Sequence, residues 1–566
     1  MAEITPEILR EKLERRQAGL GAARRPFEPA AREVSRFTST RTSRFMRSFG
    51  QNNQTFADSV SNNRLYNPAA VVAFRTLKNG MASGMSSPSQ PWFVLAAADA
   101  DLKDVQSVKV WLDDAKSIVQ QLMASTTLYT SMQTGYDEIG RYGTEAGYIA
   151  PHWQYGAATG AFTFGEYWLG QDDAGRVDTL SRDSTMTVAN LFDKFDESKI
   201  SQAAKRLKTQ GRLDALVPVM QMVEPNRERS YGKIDRTNMP WRSVYWEPGQ
   251  DKVKDVLAFE GFTEKPFWGA RWDVSSGETY GLGPGYDALP SARKIQLGEV
   301  RLQGAIDYTV KPPLVAEPGM RNTLANIIPG GITYSAAQDM ANAIRPVWQI
   351  DPRSIELIGG DNDRTERWIQ EASYAELFMA ITNMRGIQPR NMEEIAKRNE
   401  EKLSQLGPVV DRVQVEKLSV IVMAFFKIAL NANLLPPVPE ELNGRAVNIE
   451  FVSILAFAMK MLGLGTMERF FGFVGNIAAI HPEILDKVDF DQAVDEYAER
   501  SGVPSRVVVS DDDVSAVRQA RAQQQQQERA AAMMPAVQQG ADAARLLSET
   551  DTGGGRNALQ ALMPGV

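Results

Sequence analysis

The segment Tyr280-Gly-Leu-Gly-Pro-Gly-Tyr-Asp-Ala-Leu-Pro290 separates two parts of the chain whose apolar residues follow different periods. Before it, residues 242–271 alternate with a period near two and are rich in aromatic side chains, which predicts antiparallel strands. After it, residues 289–306 have helical spacing, and Pro290 stands where a first helical turn tolerates proline. The glycines follow the spacing Gly-x-Gly-x-Gly, and Pro284 removes an amide that a phosphate-binding loop would use. The segment therefore predicts a structural turn between strands and a helix.

The rest of the chain shows the same two patterns. Residues 67–144 have apolar side chains at helical spacing, whereas residues 148–188 again alternate and contain turn signals. Farther along, Asp363-x-x-Glu366 resembles a capping box that begins a helix ending near Thr382. The predicted apolar face of that helix consists of Trp368, Ala372, Ala375 and Met379. Together these patterns predict a helix-rich mixed α+β fold.

Three residues inside the predicted helices are unusual there. Gly298 and Gly304 each cost about 1 kcal/mol relative to alanine in a helix interior, so close packing against another backbone is expected. Pro408 lies within a long apolar pattern that extends to Phe425. Because proline removes a backbone hydrogen bond and clashes with the preceding turn, this helix should kink at Gly407-Pro408.

The composition disfavours several classes of enzyme. The chain of 566 residues has no cysteine, which rules out disulfides, thiolate metal sites and cysteine nucleophiles. Its two histidines, His152 and His481, are far apart in sequence, which argues against zinc hydrolases and histidine-dependent triads. The Gly232-Lys233 pair lacks the other residues of an ATP-binding P-loop. We therefore expect no metal, no cofactor and no enzymatic activity.

Charge and hydropathy indicate where the protein acts. A formal net charge of −7 argues against coating nucleic acid over the whole surface. The longest apolar stretches, residues 418–426 and 451–459, are far shorter than the roughly 20 residues of a membrane span. The first 30 residues contain acidic side chains and no continuous apolar run, so a secretory signal is not expected. A soluble, cytosol-made protein is predicted.

Several local clusters have both a structural and a functional interpretation. The arginine-rich residues 15–50 could contact DNA or an acidic neighbouring subunit, although a solvated, partly ordered extension is the simpler interpretation. The aspartates at 99, 101, 104 and 511–513 do not have calcium-loop spacing and favour solvated loops or helix starts. The tryptophans between Trp241 and Trp272 favour core packing over base stacking.

Motifs distributed over much of the chain resemble one known family. The resemblance is carried by Trp241–Val274, the Tyr280–Pro290 segment and Val310-Lys-Pro-Pro-Leu314, followed by Glu400-Glu-Lys-Leu-Ser-Gln-Leu-Gly-Pro408, Arg412-Val-Gln and Leu434-Leu-Pro-Pro-Val-Pro-Glu-Glu. Upstream it includes Met81-Ala-Ser-Gly-Met-Ser-Ser-Pro88, Pro91-Trp-Phe93 and Gly143-Thr-Glu-Ala-Gly147. In order and spacing, these motifs are similar to those of the portal protein, or head-to-tail connector, of short-tailed double-stranded DNA bacteriophages. The resemblance covers about residues 60–460. It departs from the family at Asn391-Met-Glu-Glu, where Met-Thr-Ala is usual.

The resemblance implies the portal fold, assembled as a ring, with wing, stem, clip and crown layers. The implied divisions are wing at 50–286, first stem helix at 287–308, clip at 309–359, second stem helix at 360–383, tunnel loop at 384–391, long kinked wing helix at 392–434 and crown at 435–510. The basic N-terminal arm at 1–49 and the Gln/Ala-rich tail at 511–566 match no part of the family and are distinguished by composition alone. We expect the tail to be a loosely tethered helix with a disordered end.

The resemblance also implies a function and its residues. A ring of twelve subunits would form the channel at one capsid vertex, through which double-stranded DNA passes non-specifically during packaging and ejection. Expected partners are the terminase motor, the tail adaptor, and capsid and scaffold or core proteins. No membrane association is expected. The expected location is the virion, and the host cytoplasm during assembly. The channel-facing tunnel-loop residues would be Met384, Arg385, Gln388 and Arg390. The clip residues that contact the motor or adaptor would be Lys311, Glu317, Arg321 and Asn322.

Two functions from other classes remain open on the sequence alone. A metal-dependent nuclease would use the basic arm to hold DNA and the acidic clusters to hold metal, but those clusters lack recognisable spacing. A shell or scaffold protein without a channel would assemble but would not close into a ring of defined size.

Overall fold

The computed structural model describes residues 6–40, 65–316, 344–383, 400–452, 464–501 and parts of 509–549, with short gaps within 100–104, 250–255, 347–349 and 443–446 and at 153, 234 and 479. The chain divides into two compact units, residues 1–462 and 463–566. The fold is a helix-rich mixture of α and β structure, as the sequence predicts.

The first unit contains twelve described α-helices. Their bounds are α1 Pro6–Arg24, α2 Glu28–Thr38, α3 Ala69–Met85, α4 Gln106–Ala124, α5 Leu128–Tyr142, α6 Val188–Lys194, α7 Gln202–Thr209, α8 Pro284–Val310, α9 Pro352–Ala372, α10 Ala375–Asn383, α11 Glu400–Val413 and α12 Ser419–Asn431. A π-helical turn, Gln414–Leu418, joins α11 to α12 without a break.

Twelve described strands form four antiparallel sheets. Their bounds are β1 Phe93–Ala97, β2 Thr144–His152, β3 Gly156–Phe162, β4 Tyr167–Gln171, β5 Val177–Thr187, β6 Leu216–Pro225, β7 Trp241–Trp246, β8 Ala258–Phe262, β9 Phe267–Arg271, β10 Leu314–Ala316, β11 Ile344–Pro346 and β12 Val447–Phe451. The sheet orders are β4-β5-β6-β7-β8, β3-β2-β9, β1-β12 and β10-β11. The strands predicted in 148–188 and 242–271 are confirmed.

The larger sheets pack through aromatic and aliphatic side chains. Phe162 of β3 and Phe267 of β9 share a buried cluster with Tyr167, Leu169 and others from the five-stranded sheet. Trp246, Trp268 and Trp272 are all at most 5% exposed. The prediction that these tryptophans are core residues is confirmed.

A second core lies among the helices. Trp111 of α4 packs edge-on against Phe426 of α12, and both belong to the largest buried cluster, with residues of α3, α5 and β1. β12 pairs with β1, with Phe451 opposite Phe93. Residues up to 452 therefore belong to the first unit, whereas the sequence placed a crown boundary at 435.

The arginine-rich N-terminal segment is not a solvated extension over residues 6–38. Leu9 and Leu13 of α1 are buried against Met222 and Trp246 of the large sheet. The buried Arg24 guanidinium donates to the Tyr167 carbonyl oxygen at 2.6 Å. The prediction is wrong for this part because the apolar residues between the arginines dock the helix on the sheet.

Several predicted helix features are corrected. α8 begins at Pro284, so Pro290 lies inside the helix, and α9 begins at Pro352, capped by Asp351, which accepts from the Arg353 amide. The proposed capping box at Asp363 and Glu366 is consequently inside α9.

The apolar face predicted for the second stem helix is only partly correct, since Ala375 is buried but two of its other members are exposed. Trp368 and Met379 are 44% and 43% exposed, and the helix breaks at Tyr374, whose φ is 54°. The break rotates α10 relative to α9, so Leu377 and Phe378 become the buried residues instead.

The second unit contains two main helices, α13 Leu464–Ala478 and α14 Phe490–Ser501, separated by a 3₁₀ segment, Pro482–Lys487. Residues 514–525 are also helical. Arg518 from this stretch forms an ion pair with Asp491 of α14 at 2.6 Å. This contact attaches the helix predicted in the tail to the rest of the second unit. Among the described residues, no helix is long and apolar enough to span a membrane.

Candidate functional site

The central candidate element is the helical hairpin of α8 and α9, which corresponds to the predicted stem. The two helices are joined at their distal end by the antiparallel pair β10-β11, in which Leu314 lies opposite Pro346. Gly298 of α8 lies against α9, because a Cβ on Gly298 would be 2.1 Å from Asn362 Oδ1. The close packing predicted at Gly298 is confirmed, although the neighbour is a side chain. At Gly304 the described residues do not supply this packing, because a Cβ there would meet none of their atoms within 4 Å.

The start of α8 is fixed by the glycine-rich turn. Gly143, the C-cap of α5, has a φ of 69°, and a Cβ on it would lie 2.4 Å from the Gly283 nitrogen. On the other side, a Cβ on Gly285 would lie 2.1 Å from the Arg141 carbonyl oxygen. Only glycine allows this approach of two backbones. The predicted structural turn is confirmed, and its role is to lock the end of α5 to the beginning of α8.

A buried polar network fastens the hairpin to the start of α3. The Gln296 side chain accepts from the Asn67 backbone N–H at 3.0 Å and donates to the Asn67 backbone carbonyl oxygen at 2.8 Å. The Asn67 side-chain amide nitrogen donates to the Glu299 carboxylate at 3.1 Å and to the Glu366 carboxylate at 2.9 Å. Because one asparagine bonds both helices, their relative position is specified by polar contacts as well as by packing.

The exposed side of the hairpin carries a charged and aromatic group. Asp361 accepts from Lys294 at 2.9 Å and from Arg364 at 2.8 Å, and these bonds lower the pKa of its carboxyl group. Both cations also lie over the Trp368 ring, each 5.1 Å from its centroid. The sequence analysis, which placed Trp368 on the apolar face of a helix, missed this cation–π role.

The long helix that follows is anchored to the three-stranded sheet by its π-helical turn. Glu416 accepts from the Arg271 backbone amide at 3.0 Å and from its guanidinium at 2.5 Å. The next residue, Lys417, pairs with Glu145 of β2 at 2.7 Å, and both side chains are 0% exposed. The Lys417 ammonium also lies 3.6 Å from the centroid of the Tyr136 ring. π-Helical turns often occur at functional positions, and here the turn brings two consecutive charged side chains onto adjacent strands.

Burial sets the electrostatics of this anchor. It raises the pKa of the Glu145 carboxyl and lowers that of the Lys417 ammonium, while their mutual attraction opposes both shifts. Separating such a pair would leave one uncompensated charge in the core. These anchoring residues were missed by the sequence analysis, because single charged residues in strand and helix patterns give no signal of burial.

Other strongly shifted groups do not form a reaction centre. Burial raises the pKa of Glu138 to about 8, and its carboxylate accepts from the Phe164 amide at 2.7 Å. Burial lowers the pKa of Lys265 to about 8, and its ammonium donates to the Val177 carbonyl oxygen at 2.6 Å. Within the described part of the chain, no group of three or more His, Asp or Glu side chains is arranged to hold a metal ion.

The predicted site residues fall mostly outside the described chain. The tunnel loop with Met384, Arg385, Gln388 and Arg390 lies between α10 and α11 in sequence and outside the described residues. The same holds for the clip residues Glu317, Arg321 and Asn322. Lys311 is described and is the exposed C-cap of α8. Gly407 and Pro408 lie inside α11, which stays helical through them, so the kink remains a prediction.

The hairpin exposes large apolar side chains. Those at least 44% exposed on α8, α9 and the connecting strands are Leu297, Val300, Tyr308, Val310, Leu314, Val315, Leu357 and Trp368. Contiguous exposed apolar surface commonly marks a contact with another molecule. The arrangement supports a surface for assembly more than a site for chemistry.

Comparison with known proteins connects this architecture to phage particles. Residues 10–509 match the family described as bacteriophage head to tail connecting protein. The chain is 34% identical over 549 residues to the portal protein of Salmonella phage epsilon15, covering 96% of each chain. It is 34% identical over 491 residues to a probable portal protein of Bordetella phage BPP-1, covering 87% of each chain.

Two solved structures of gene transfer agent particles are more distantly similar. A chain of the native virion matches 71% of this chain and 85% of its own length, with 10% identity and a TM-score of 0.32. A chain of the neck of the empty particle matches 70% of this chain and 85% of its own length, with 10% identity and a TM-score of 0.33. These TM-scores are too low to establish a shared fold.

Proposed function

The chain belongs to the bacteriophage head-to-tail connecting protein family, and we propose that it is the portal protein of a phage. In this role, copies of the chain form a ring at one capsid vertex, and double-stranded DNA passes through its channel during packaging and ejection. The observation that carries the proposal is the 34% identity to a named portal protein over 96% of both chains. The family match, residues 10–509, spans both compact units.

The hairpin supports this role physically. A ring of identical subunits needs heterologous contacts that close on themselves. The exposed apolar side chains of α8 and α9 offer such a surface, and the Gly143–Gly283 junction and the Asn67 network hold the hairpin in a defined orientation. The protein then acts as a structural channel and not as an enzyme.

We further propose twelve subunits per ring and the layers predicted from the sequence. In this proposal α8 and α9 form the stem, with the clip predicted at 309–359 narrowed to the residues between these helices, 311–351. The predicted crown, 435–510, includes α13 and α14 of the second compact unit. The clip, with Lys311, Glu317, Arg321 and Asn322, would contact the terminase motor and later the tail adaptor. Capsid and scaffold or core proteins would surround the wing, in the virion and in the host cytoplasm during assembly.

The packaging role predicts a simple phenotype. Heads assembled in cells that lack this chain should contain no packaged genome, because DNA would have no entry channel. Expression of the chain from a plasmid should restore packaged DNA, measured by the nuclease-protected DNA content of purified heads. Heads with a full genome in the absence of the chain would contradict the proposal and favour a shell or scaffold protein.

The proposed tunnel loop predicts a salt-sensitive effect on DNA. With two arginines per subunit, Arg385 and Arg390 would contact passing phosphates without reading sequence. We expect Arg385→Ala combined with Arg390→Ala to leave ring assembly intact while changing DNA retention at low salt, with a smaller difference at high salt. Retention should be measured on filled particles over a range of ionic strength.

Arg182→Ala is a suitable control, because this guanidinium lies over the Phe162 ring in the sheet and outside the proposed loop. Wild-type packaging and retention by correctly assembled Arg385/Arg390 double-variant rings at low salt would refute the DNA-contacting role. Failure of the double variant to assemble would indicate that the arginines instead pair with neighbouring acidic groups.

A further inference from the structure

The connection between β6 and β7 is long and exposed. It consists of residues 226–240, which the structure describes except at 234, whereas an ordinary hairpin loop has about two to five residues. Loops of this length without secondary structure of their own are usually functional. The Gly232-Lys233 pair lies in this loop, and the neighbouring Tyr231 is 82% exposed. Neither the proposed channel nor the α8–α9 surface makes use of it.

Side-chain hydrogen bonds hold the β6–β7 loop in one conformation. The Asp235 carboxylate accepts from the backbone N–H groups of Thr237 and Asn238, both at 3.0 Å. The Asn238 side chain accepts from the Ser230 backbone N–H at 2.8 Å. At the base of the loop, the buried Asn226 side chain donates to the Thr237 carbonyl oxygen at 2.9 Å. The loop is therefore preorganised, although it has no apolar core.

Both acidic side chains of the loop are engaged within the chain. Asp235 holds the network just described, and its side-chain hydrogen bonds from Thr237 and Asn238 lower the pKa of its carboxyl group. Glu228 pairs with Lys12 of α1 and with Arg242 of β7. Neither carboxylate is left to neutralise the cations of the loop.

Three cations of the loop are available to a partner. Arg229, Lys233 and Arg236 take part in no ion pair with any residue that the structure describes, whereas Arg227 pairs with Asp178 at 3.4 Å. The Arg229 guanidinium lies 4.6 Å from the centroid of the exposed Tyr231 ring. The cation–π contact places a planar donor and an aromatic face side by side.

Neighbouring acidic groups do not cancel this charge. On α1, the two acids nearest Lys12, Glu11 and Glu14, pair with arginines of the same helix. The β4–β5 turn, at the same end of the sheet, contains Asp172 and Asp173 beside one arginine. β4 is two strands from β6, which is about 10 Å at the usual strand spacing. Positive charge therefore remains in excess at the β6–β7 loop.

The charge of the rest of the chain favours a short anionic partner over a long one. Duplex DNA has one phosphate charge per about 1.7 Å and would also face the rest of a surface whose formal net charge is −7. A short acidic segment would stay within about 8 Å of the loop, the distance over which charges act at physiological salt. Arginine and tyrosine are also the residues that most often dominate binding at protein–protein contacts.

We propose that the β6–β7 loop docks an acidic segment of another protein of the particle. Arg229, Lys233 and Arg236 face the carboxylates of the segment, and Tyr231 packs on the chain between them. The inference rests on the proposed function only in placing this partner in the particle. Binding to the loop requires the folded subunit and no ring, so it can fail independently of the proposed function.

Reversing the charge of the loop tests the contact. The probe is a fluorescein-labelled oligoglutamate peptide, titrated with the purified full-length protein at low salt and followed by fluorescence anisotropy. Arg229→Glu combined with Lys233→Glu and Arg236→Glu should weaken binding at least about tenfold, because like charges then face each other. If this triple variant does not fold, Lys233→Glu with Arg236→Glu, both at exposed positions, gives the same test.

A matched control changes the net charge by the same amount elsewhere. It reverses three exposed arginines outside the loop that form no ion pair within the described part of the chain, Arg25→Glu, Arg206→Glu and Arg212→Glu. Because these charges lie away from the loop and are screened, binding should weaken by less than about twofold.

Asp235→Ala separates a preorganised loop from general attraction between charges. The substitution removes a negative charge beside the cations, so charge alone would strengthen peptide binding. It also removes the hydrogen bonds from Thr237 and Asn238 that hold the loop. We expect binding to weaken by about threefold or more, because the partner must then order the loop.

Four results would overturn the proposal. They are a wild type that does not bind the peptide, a charge-reversed loop that binds as the wild type does, tighter binding by Asp235→Ala, and preferential binding of a DNA duplex of equal total charge through the same three cations. The last result would assign the loop to nucleic acid. Loss of ring formation by the folded triple variant would also overturn it, because the loop would then contact a second copy of the chain.

Discussion

Replacing Lys417 by methionine should lower the free energy of unfolding by about 3–5 kcal/mol, since it leaves a buried carboxylate without its partner. Lys417 and Glu145 are both 0% exposed, and the ammonium and carboxylate are 2.7 Å apart. The loss should be measured by urea unfolding followed by tryptophan fluorescence. The loss of stability should be large because this ion pair joins the π-helical turn to β2.

The loss should depend on pH in a defined direction. Burial raises the pKa of Glu145 above 4.5, so in the variant the folded state favours the protonated carboxyl. A group whose pKa is raised on folding contributes stability at pH values below its unfolded pKa, and that contribution is lost as the pH rises through its folded pKa. The difference in stability between Lys417→Met and the wild type should therefore shrink as the pH falls towards 4.5.

Two controls separate the buried pair from charge in general. Lys427 and Glu264 form a similarly short ion pair, at 2.6 Å, but both side chains are at least 40% exposed. Lys427→Met should therefore cost no more than about 1 kcal/mol. Adding Glu145→Leu to Lys417→Met should recover much of the loss, because an apolar pair of similar volume replaces the ion pair. A cost for Lys417→Met equal to that for Lys427→Met would contradict the described anchor.

Gly143→Ala should be comparably damaging, for a steric reason. A non-glycine residue at a φ of 69° costs roughly 1–2 kcal/mol by itself. In addition, the new Cβ would lie 2.4 Å from the Gly283 nitrogen and the Leu282 carbonyl carbon, which are backbone atoms and cannot rotate away. We expect a total loss of about 3 kcal/mol or more, together with misplacement of α8.

Gly175→Ala isolates the conformational part of that cost. Gly175 has a similar φ of 76°, but a Cβ there would meet no atom of the described residues within 4 Å. The free energy of unfolding of the Gly175→Ala variant, measured by the same urea titration, should be only about 1–2 kcal/mol below that of the wild type. Equal losses for Gly143→Ala and Gly175→Ala would show that the α5–α8 junction is looser than described.

The sequence predicts whether a segment is a helix or a strand better than it predicts the residue at which that helix or strand begins. Strand periodicity and aromatic content identify the sheet around Trp246 and Trp268, because buried strands repeat a simple pattern. The start of α9 was misplaced because Asp363 and Glu366 match a capping box, while the true cap, Asp351, precedes a proline and has a weaker pattern. The predicted boundary between clip and second stem helix, at 359–360, consequently lies inside this helix.

The anchoring contacts could not be predicted from spacing. Glu145 and Lys417 are 272 residues apart in sequence, and neither position differs in pattern from an exposed charge. The N-terminal helices were misjudged for a related reason, since their arginine content masks the few apolar residues that dock them. Long-range partners of charged side chains depend on topology, which local periodicity does not encode.

The central claim, that this chain forms the closed ring of a portal, is tested most directly by the native mass of the purified protein. Twelve copies of the 62.7 kDa chain would give a particle of about 750 kDa, and the account predicts closed rings near this mass without added nucleotide or metal. Only monomers or open filaments, over a range of salt and protein concentrations, would contradict it.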